Sequence, residues 1–101
     1  MRISTHVVNN TAKINLFGRF DFSANHEFKS CTSLAINSPE IKELELNLAE
    51  VNYIDSAALG MLLVLRETAD KSFKRITLTN CKGTVAHILN MANFSKLFTI
   101  K

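Results

Sequence analysis

Glu43-Leu44-Glu45-Leu46-Asn47-Leu48 alternates polar and apolar residues without a break. Successive side chains of a strand point to opposite faces, so this segment predicts a strand with one buried leucine face and one wet face. A helical pattern follows from Asp55-Ser56 to about Lys71. Then comes a second alternating run, Arg75-Ile76-Thr77-Leu78-Thr79, and after it Val85, Ile88, Leu89 and Ala92 form the apolar stripe of another helix. Strand–helix–strand–helix order calls for parallel strands joined by crossovers. Parallel strands covered on both faces are apolar throughout. Here Glu43, Glu45, Asn47, Arg75, Thr77 and Thr79 are polar, so helices are expected on one face only. Right-handed crossovers that keep adding strands in one direction put successive helices on the same side, which agrees. The expected fold is α/β, a two-layer arrangement of a mixed β-sheet with helices packed on one face.

Upstream of this stretch, Ile3, Thr5 and Val7 alternate with their neighbours, Asn9-Asn10 marks a turn, and Ile14 and Leu16 alternate again. That is a hairpin, with Gly18 expected to end its second strand. Ser23 is the expected N-cap of a first helix striped by Ala24, Phe28, Cys31 and Ala35, and Asn37-Ser38-Pro39 stops it. A loop is expected through Val51 and Tyr53, and Phe94, Leu97, Phe98 and Ile100 close the chain against the core.

The chain of 101 residues suits a single domain, residues 1–101, and one proline with three glycines leaves no composition for a linker. Its longest apolar run, Ala57 to Leu65, is nine residues counting Gly60. A bilayer span needs roughly 20, and the first residues do not form a signal-peptide apolar region. A small cytoplasmic protein without membrane insertion is expected. Residues 1–50 carry five Lys/Arg against six Asp/Glu, and residues 51–101 carry seven against three. The cations are scattered, with no stripe to track phosphates, so no nucleic-acid partner is expected. Cys31 and Cys81 lack a CxxC spacing, and His6, His26 and His87 are isolated. Neither a redox pair nor a metal site follows. With no nucleophile elbow, HExxH or phosphate-binding glycine loop, the sequence assigns no catalytic residue, no cofactor and no enzyme activity.

The second helix carries the functional signal. At about 100° per residue, Ala57, Ala58, Met61, Leu62, Val64, Leu65 and Ala69 cover one broad sector, the expected core face. The other side holds Ser56, Gly60, Arg66, Glu67 and Asp70, and also Leu59 and Leu63. A glycine inside a helix costs roughly 1 kcal/mol relative to alanine. Flanked by exposed leucines, it marks a flat patch where another surface can approach closely. The leucines could instead be covered by a neighbouring loop or helix. Ser56, following Asp55 at a helix start, is on spacing alone an ordinary capping position.

Val51-Asn-Tyr-Ile-Asp55-Ser56-Ala-Ala-Leu59-Gly60-Met-Leu-Leu resembles the signature of STAS domains of the anti-sigma-factor antagonist type. The similarity extends to Gly18-Arg-Phe-Asp21, Leu44–Leu48, Ile76–Asn80 and the closing Asn93-Phe94…Leu97-Phe98-Thr-Ile100. One departure is Ser72-Phe73-Lys74, which stands where such domains usually carry a glycine in the turn before a strand. The resemblance implies a protein-binding switch. Ser56 would be phosphorylated by a partner that is both anti-sigma factor and serine kinase of the histidine-kinase-like ATPase type, and a PP2C-type phosphatase would remove the phosphate. The unphosphorylated form would bind the partner. Asp21 and Asp55 match acidic positions that flank the acceptor, and Leu59, Gly60 and Leu63 would complete the partner-binding surface. Related small STAS proteins serve biofilm and motility circuits, or act as accessory subunits of lipid-transport ATPases. Those subunits often carry Thr in place of Ser56.

Overall fold

The computed structural model describes all of residues 1–101. The strands β1 (Arg2–Val8) and β2 (Thr11–Phe20) form an antiparallel hairpin. Its two-residue turn is Asn9-Asn10, with φ of 49° and 66°. Two left-handed residues in such a turn match the twist of the flanking strands, and Asn tolerates that conformation well. The helix α1 (Asn25–Ile36), β3 (Glu43–Ile54), α2 (Ser56–Lys71), β4 (Arg75–Thr79), α3 (Gly83–Met91) and a two-residue β5 (Thr99–Ile100) follow in order. The five strands lie side by side as β1-β2-β3-β4-β5, and β2 through β5 are parallel. The mixed sheet with helices on one face is as expected.

Alternation decides which face is buried. Ile14, Leu16, Leu44, Leu46 and Leu78 are at most 1% exposed. They meet Phe28, Ala58, Leu62, Leu65 and Leu89 from the helices in one continuous core. Fully burying each such leucine contributes roughly 1.5–3 kcal/mol. The opposite face carries the polar residues, half-buried on β3 and laced by side chains, and Thr77 in its midst is buried rather than wet. Asn15 Nδ2 donates to Ser4 Oγ (3.3 Å), Asn47 Nδ2 to Asn15 Oδ1 (3.0 Å) and Asn80 Nδ2 to Asn47 Oδ1 (2.9 Å). One row along, Lys13 pairs with Glu45 at 3.9 Å and Thr77 Oγ1 donates to Glu43 Oε2 at 2.7 Å.

Four boundaries differ from the sequence expectation, each for a local reason. Gly18 does not end β2. It takes φ +100° inside the strand, beside a break in register, and β2 continues to Phe20. No loop runs through Val51 and Tyr53, because β3 continues to Ile54. Against β2 it carries one extra residue between Asn47 and Glu50 and another between Val51 and Tyr53. Such bulges break the period of two, so the second half of the strand does not alternate. Ser23 is not the N-cap of α1. Asp21 caps a 3₁₀ turn, Phe22–Ala24, that leads into that helix. Thr99-Ile100, too short to show a pattern, pairs with β4 as a fifth strand.

The turn before β4 also has a cause. Phe73 takes φ +58° there, the conformation a glycine would adopt freely, and its ring is 92% exposed. The next residue, Lys74, is buried. Its ammonium donates to the carbonyls of Ser38 (2.9 Å) and Ile41, tying this turn to the loop before β3.

Candidate functional site

The site forms where two neighbouring parallel strands end. Phe20 of β2 is in register with Ile54 of β3, so Asp21 and Asp55 leave the sheet at one level. Strands in that direction lie about 4.8 Å apart. Each carboxylate then caps the helical turn that begins after it. Asp21 Oδ1 accepts from the Ser23 backbone N–H (3.0 Å) and from the Ser23 hydroxyl. Asp55 Oδ1 accepts from Ala58 N–H (3.0 Å), the bond expected of an aspartate before a helix.

Hydrogen bonding by the Ser23 hydroxyl holds the Asp21 carboxyl below its ordinary pKa; desolvation opposes it, and the Ser23 backbone and Arg19 add to the lowering. Arg19 itself is doubly held. Its guanidinium lies 3.9 Å from the centre of the Tyr53 ring, and its Nε is 3.4 Å from Asp21 Oδ2. No local sequence pattern marks these two side chains. Only the register that pairs Arg19 with Tyr53 brings them together. Phe22, the residue after Asp21, is 73% exposed.

Ser56, the first residue of α2, is exposed beside these two caps. Along the helix from it run Gly60, also exposed, and Leu63, 40% exposed. A methyl group built onto Gly60 would meet nothing within 4 Å, and its φ is not positive. Neither internal packing nor the backbone therefore requires glycine here. The open space faces outward, where a docking surface could come within reach of the helix backbone.

Two flanking positions correct the helical-wheel expectation. Leu59 is half-buried and packs against the core rather than standing free. Arg66, on the same flank, donates from Nε to the Leu97 carbonyl at 2.6 Å, so the closing segment covers that side. Val64, expected in the core, is 64% exposed because it faces a groove between α1 and α2. The exposed ridge is therefore Ser56, Gly60, Leu63 and Val64, with Leu59 at its half-covered edge. Asp55 and Ser56 stand at its start, and Asp21 leaves the neighbouring strand at the same level.

Away from the ridge, Cys31 and Cys81 are free, and burial raises the pKa of each thiol. No helix is long and apolar enough to cross a membrane.

A model of the STAS domain family matches residues 2–101. A STAS-domain containing protein of Pseudomonas aeruginosa strain UCBPP-PA14 is 39% identical over 87 residues, covering 86% of this chain and 84% of that protein. Among solved structures, the anti-sigma factor antagonist SpoIIAA in its unphosphorylated form superposes with a TM-score of 0.77 at 21% identity, over 99% of this chain and 87% of that one. The phosphorylated form of Bacillus SpoIIAA gives 0.75 at 20% identity, over 99% and 91%. An anti-sigma factor antagonist from Mycobacterium paratuberculosis gives 0.86 at 12% identity, over 98% and 83%. At these identities the structural likeness shows the fold.

Proposed function

The chain belongs to the STAS domain family, and from that premise we propose that it is a protein-binding switch of the anti-sigma-factor antagonist type, controlled by phosphorylation of Ser56. One observation carries the reading. Ser56 is exposed at the start of α2, between two helix-capping carboxylates and a ridge with an unfilled glycine and an exposed leucine. The ridge supplies apolar contact, and the hydroxyl supplies a place to write a charge beside it. SpoIIAA is known in unphosphorylated and phosphorylated forms, which supports a switch on this fold.

The physical logic is local. The partner, a serine kinase that also serves as anti-sigma factor, supplies ATP and the base. The Ser56 oxygen takes the phosphoryl group, its proton passes to the partner, and ADP leaves. Asp55 and Asp21 orient the acceptor region and contact the partner. A phosphoserine adds about −1.5 to −2 charges. At a helix N-terminus that charge is tolerated, because free N–H groups and the helix dipole favour an anion by about 0.3–1 kcal/mol. At a docked apolar surface it is not tolerated, since burying an unpaired charge costs several kcal/mol. Phosphorylation thus releases the partner without unfolding the switch, and a PP2C-type phosphatase resets it.

Intact-mass and phosphosite mass spectrometry on the protein purified from its own cells tests the reading. One phosphate on Ser56, and a partner retained only by the unphosphorylated form, is the expected result. Phosphate on another residue, or a partner held equally by both forms, rejects it.

A further inference from the structure

A groove of about 550 Å³ runs between α1 and α2, within the range of small-molecule sites. Along the twelve residues of α1 it is roughly 18 Å long. Its walls are Phe22, Phe28 and Ile36 on one side and Met61, Val64 and Leu65 on the other. The lining carries three hydroxyls; Ser33 is exposed at the margin, and the two threonines are spent locally. Thr32 Oγ1 donates to the Phe28 carbonyl (2.8 Å) and Thr68 Oγ1 to the Val64 carbonyl (3.0 Å), so each spends its hydroxyl proton on its own helix. Gly60 leaves the wall open where a side chain would have free room.

One lining residue is charged. Lys29 sits at the rim, exposed, with no ion pair and no hydrogen bond from its ammonium. Asn25 lies four residues before it on the same helix face and offers a second free donor. The lining contains no acidic side chain. A long apolar trough with a single unpaired cation at its margin is complementary to a chain carrying one negative charge at its end. An ammonium recognises a carboxylate by a charge-assisted hydrogen bond.

We propose that this groove binds a fatty acid of about twelve carbons or more, dodecanoate included, with the alkyl chain along the apolar walls and the carboxylate on Lys29 and Asn25. The site is separate from Ser56 chemistry and does not depend on it. It shares Gly60 and Val64 with the docking ridge, so an occupied groove changes the surface a partner meets.

Dodecanoate and dodecyltrimethylammonium, equal in chain and opposite in charge, are titrated below their micelle concentrations into the ¹⁵N-labelled protein. Dodecanoate is expected to shift amide signals of Phe28 to Ile36 and Gly60 to Thr68, and to bind at least tenfold more tightly than the cation. Lys29→Glu, at an exposed and unpaired position, is expected to keep the fold and abolish that preference. Val64→Trp fills the trough and is expected to weaken both amphiphiles. Equal affinity for the two charges, a preference unchanged in Lys29→Glu, shifts centred elsewhere, or no binding of dodecanoate would each overturn the proposal.

Discussion

Phe20 on β2 lies opposite Ile54 on β3, so the aspartates that follow them in sequence begin their helical segments side by side. Both caps belong to one structural level, and their contributions to stability can be separated. Removing an N-cap side chain costs about 0.5–2 kcal/mol. Asp55→Ala, which frees the Ala58 N–H, should lose that much in urea denaturation, and Asp55→Asn much less. Asp21 adds a pH dependence. Its folded pKa lies below the ordinary 3.8, so its stabilisation is present above that value and is lost as pH falls through the folded pKa. The stability gap between wild type and Asp21→Asn should therefore be visible near neutrality and close in strong acid. A gap that widens on acidification would mean that the carboxyl is not held ionised by Ser23.

The wet and dry faces of β3 predict unequal losses. Leu46 is fully buried, whereas Glu45 is half-buried and reaches Lys13 only at 3.9 Å. Leu46→Ala should cost about 2–5 kcal/mol, by transfer and cavity together, and Glu45→Ala well under 1. Urea melts of the two variants check this. Similar losses would show that both faces of the strand are packed.

Adjacent leucines of α2 should separate folding from binding. Leu63→Ala, on the exposed ridge, should change stability by less than about 1 kcal/mol. It should nonetheless weaken the partner complex by roughly thirtyfold, the loss of an anchor worth about 2 kcal/mol. Leu59→Ala should lower the melting temperature measurably, because that side chain packs against the core. Calorimetry of folding and of binding on both variants reads the difference. A Leu63→Ala protein that melts far lower but binds normally would reassign that side chain to the core.

Charge at position 56 should control the complex alone. Ser56→Ala is expected to fold, to resist phosphorylation and to bind the partner constitutively. Ser56→Asp should fold equally well and bind at least tenfold more weakly, for which about 1.4 kcal/mol suffices. Isothermal titration of both against the purified partner kinase is the measurement. Equal affinities at unchanged melting temperatures would remove Ser56 from control.

How much of this was legible in the sequence depends on the periods. The runs 43–48 and 75–79 alternate, which predicts helices on one side, and the helical pattern between them predicts that the two strands are parallel. The rest of β3 was hidden, since two extra residues shift the pattern out of phase with itself. The helical period of α2 placed Ser56, Gly60 and Leu63 together correctly. It exchanged the surroundings of Leu59 and Val64, because a wheel gives angles but not which flank a neighbouring segment covers. The common level at which Asp21 and Asp55 leave the sheet, and the stacking of Arg19 on Tyr53, depend on register between strands distant along the chain. Local pattern carries no information about that.

The row Ser4–Asn15–Asn47–Asn80 gives the sheet a passive side. Amides that already satisfy one another gain little from a visitor, and dehydrating them without replacement bonds costs about 1–3 kcal/mol apiece. Two copies meeting sheet to sheet would have to strip water from this row, and the apolar area beside it is small: Phe17, half-buried under Arg2, and Val8 on the edge strand. Unproductive stacking is thereby discouraged, and random collisions on this side should be brief. Orientation would then sort the molecule's encounters, since the amide row leaves a visitor few bonds to gain, whereas α2 presents the exposed Leu63 and Val64.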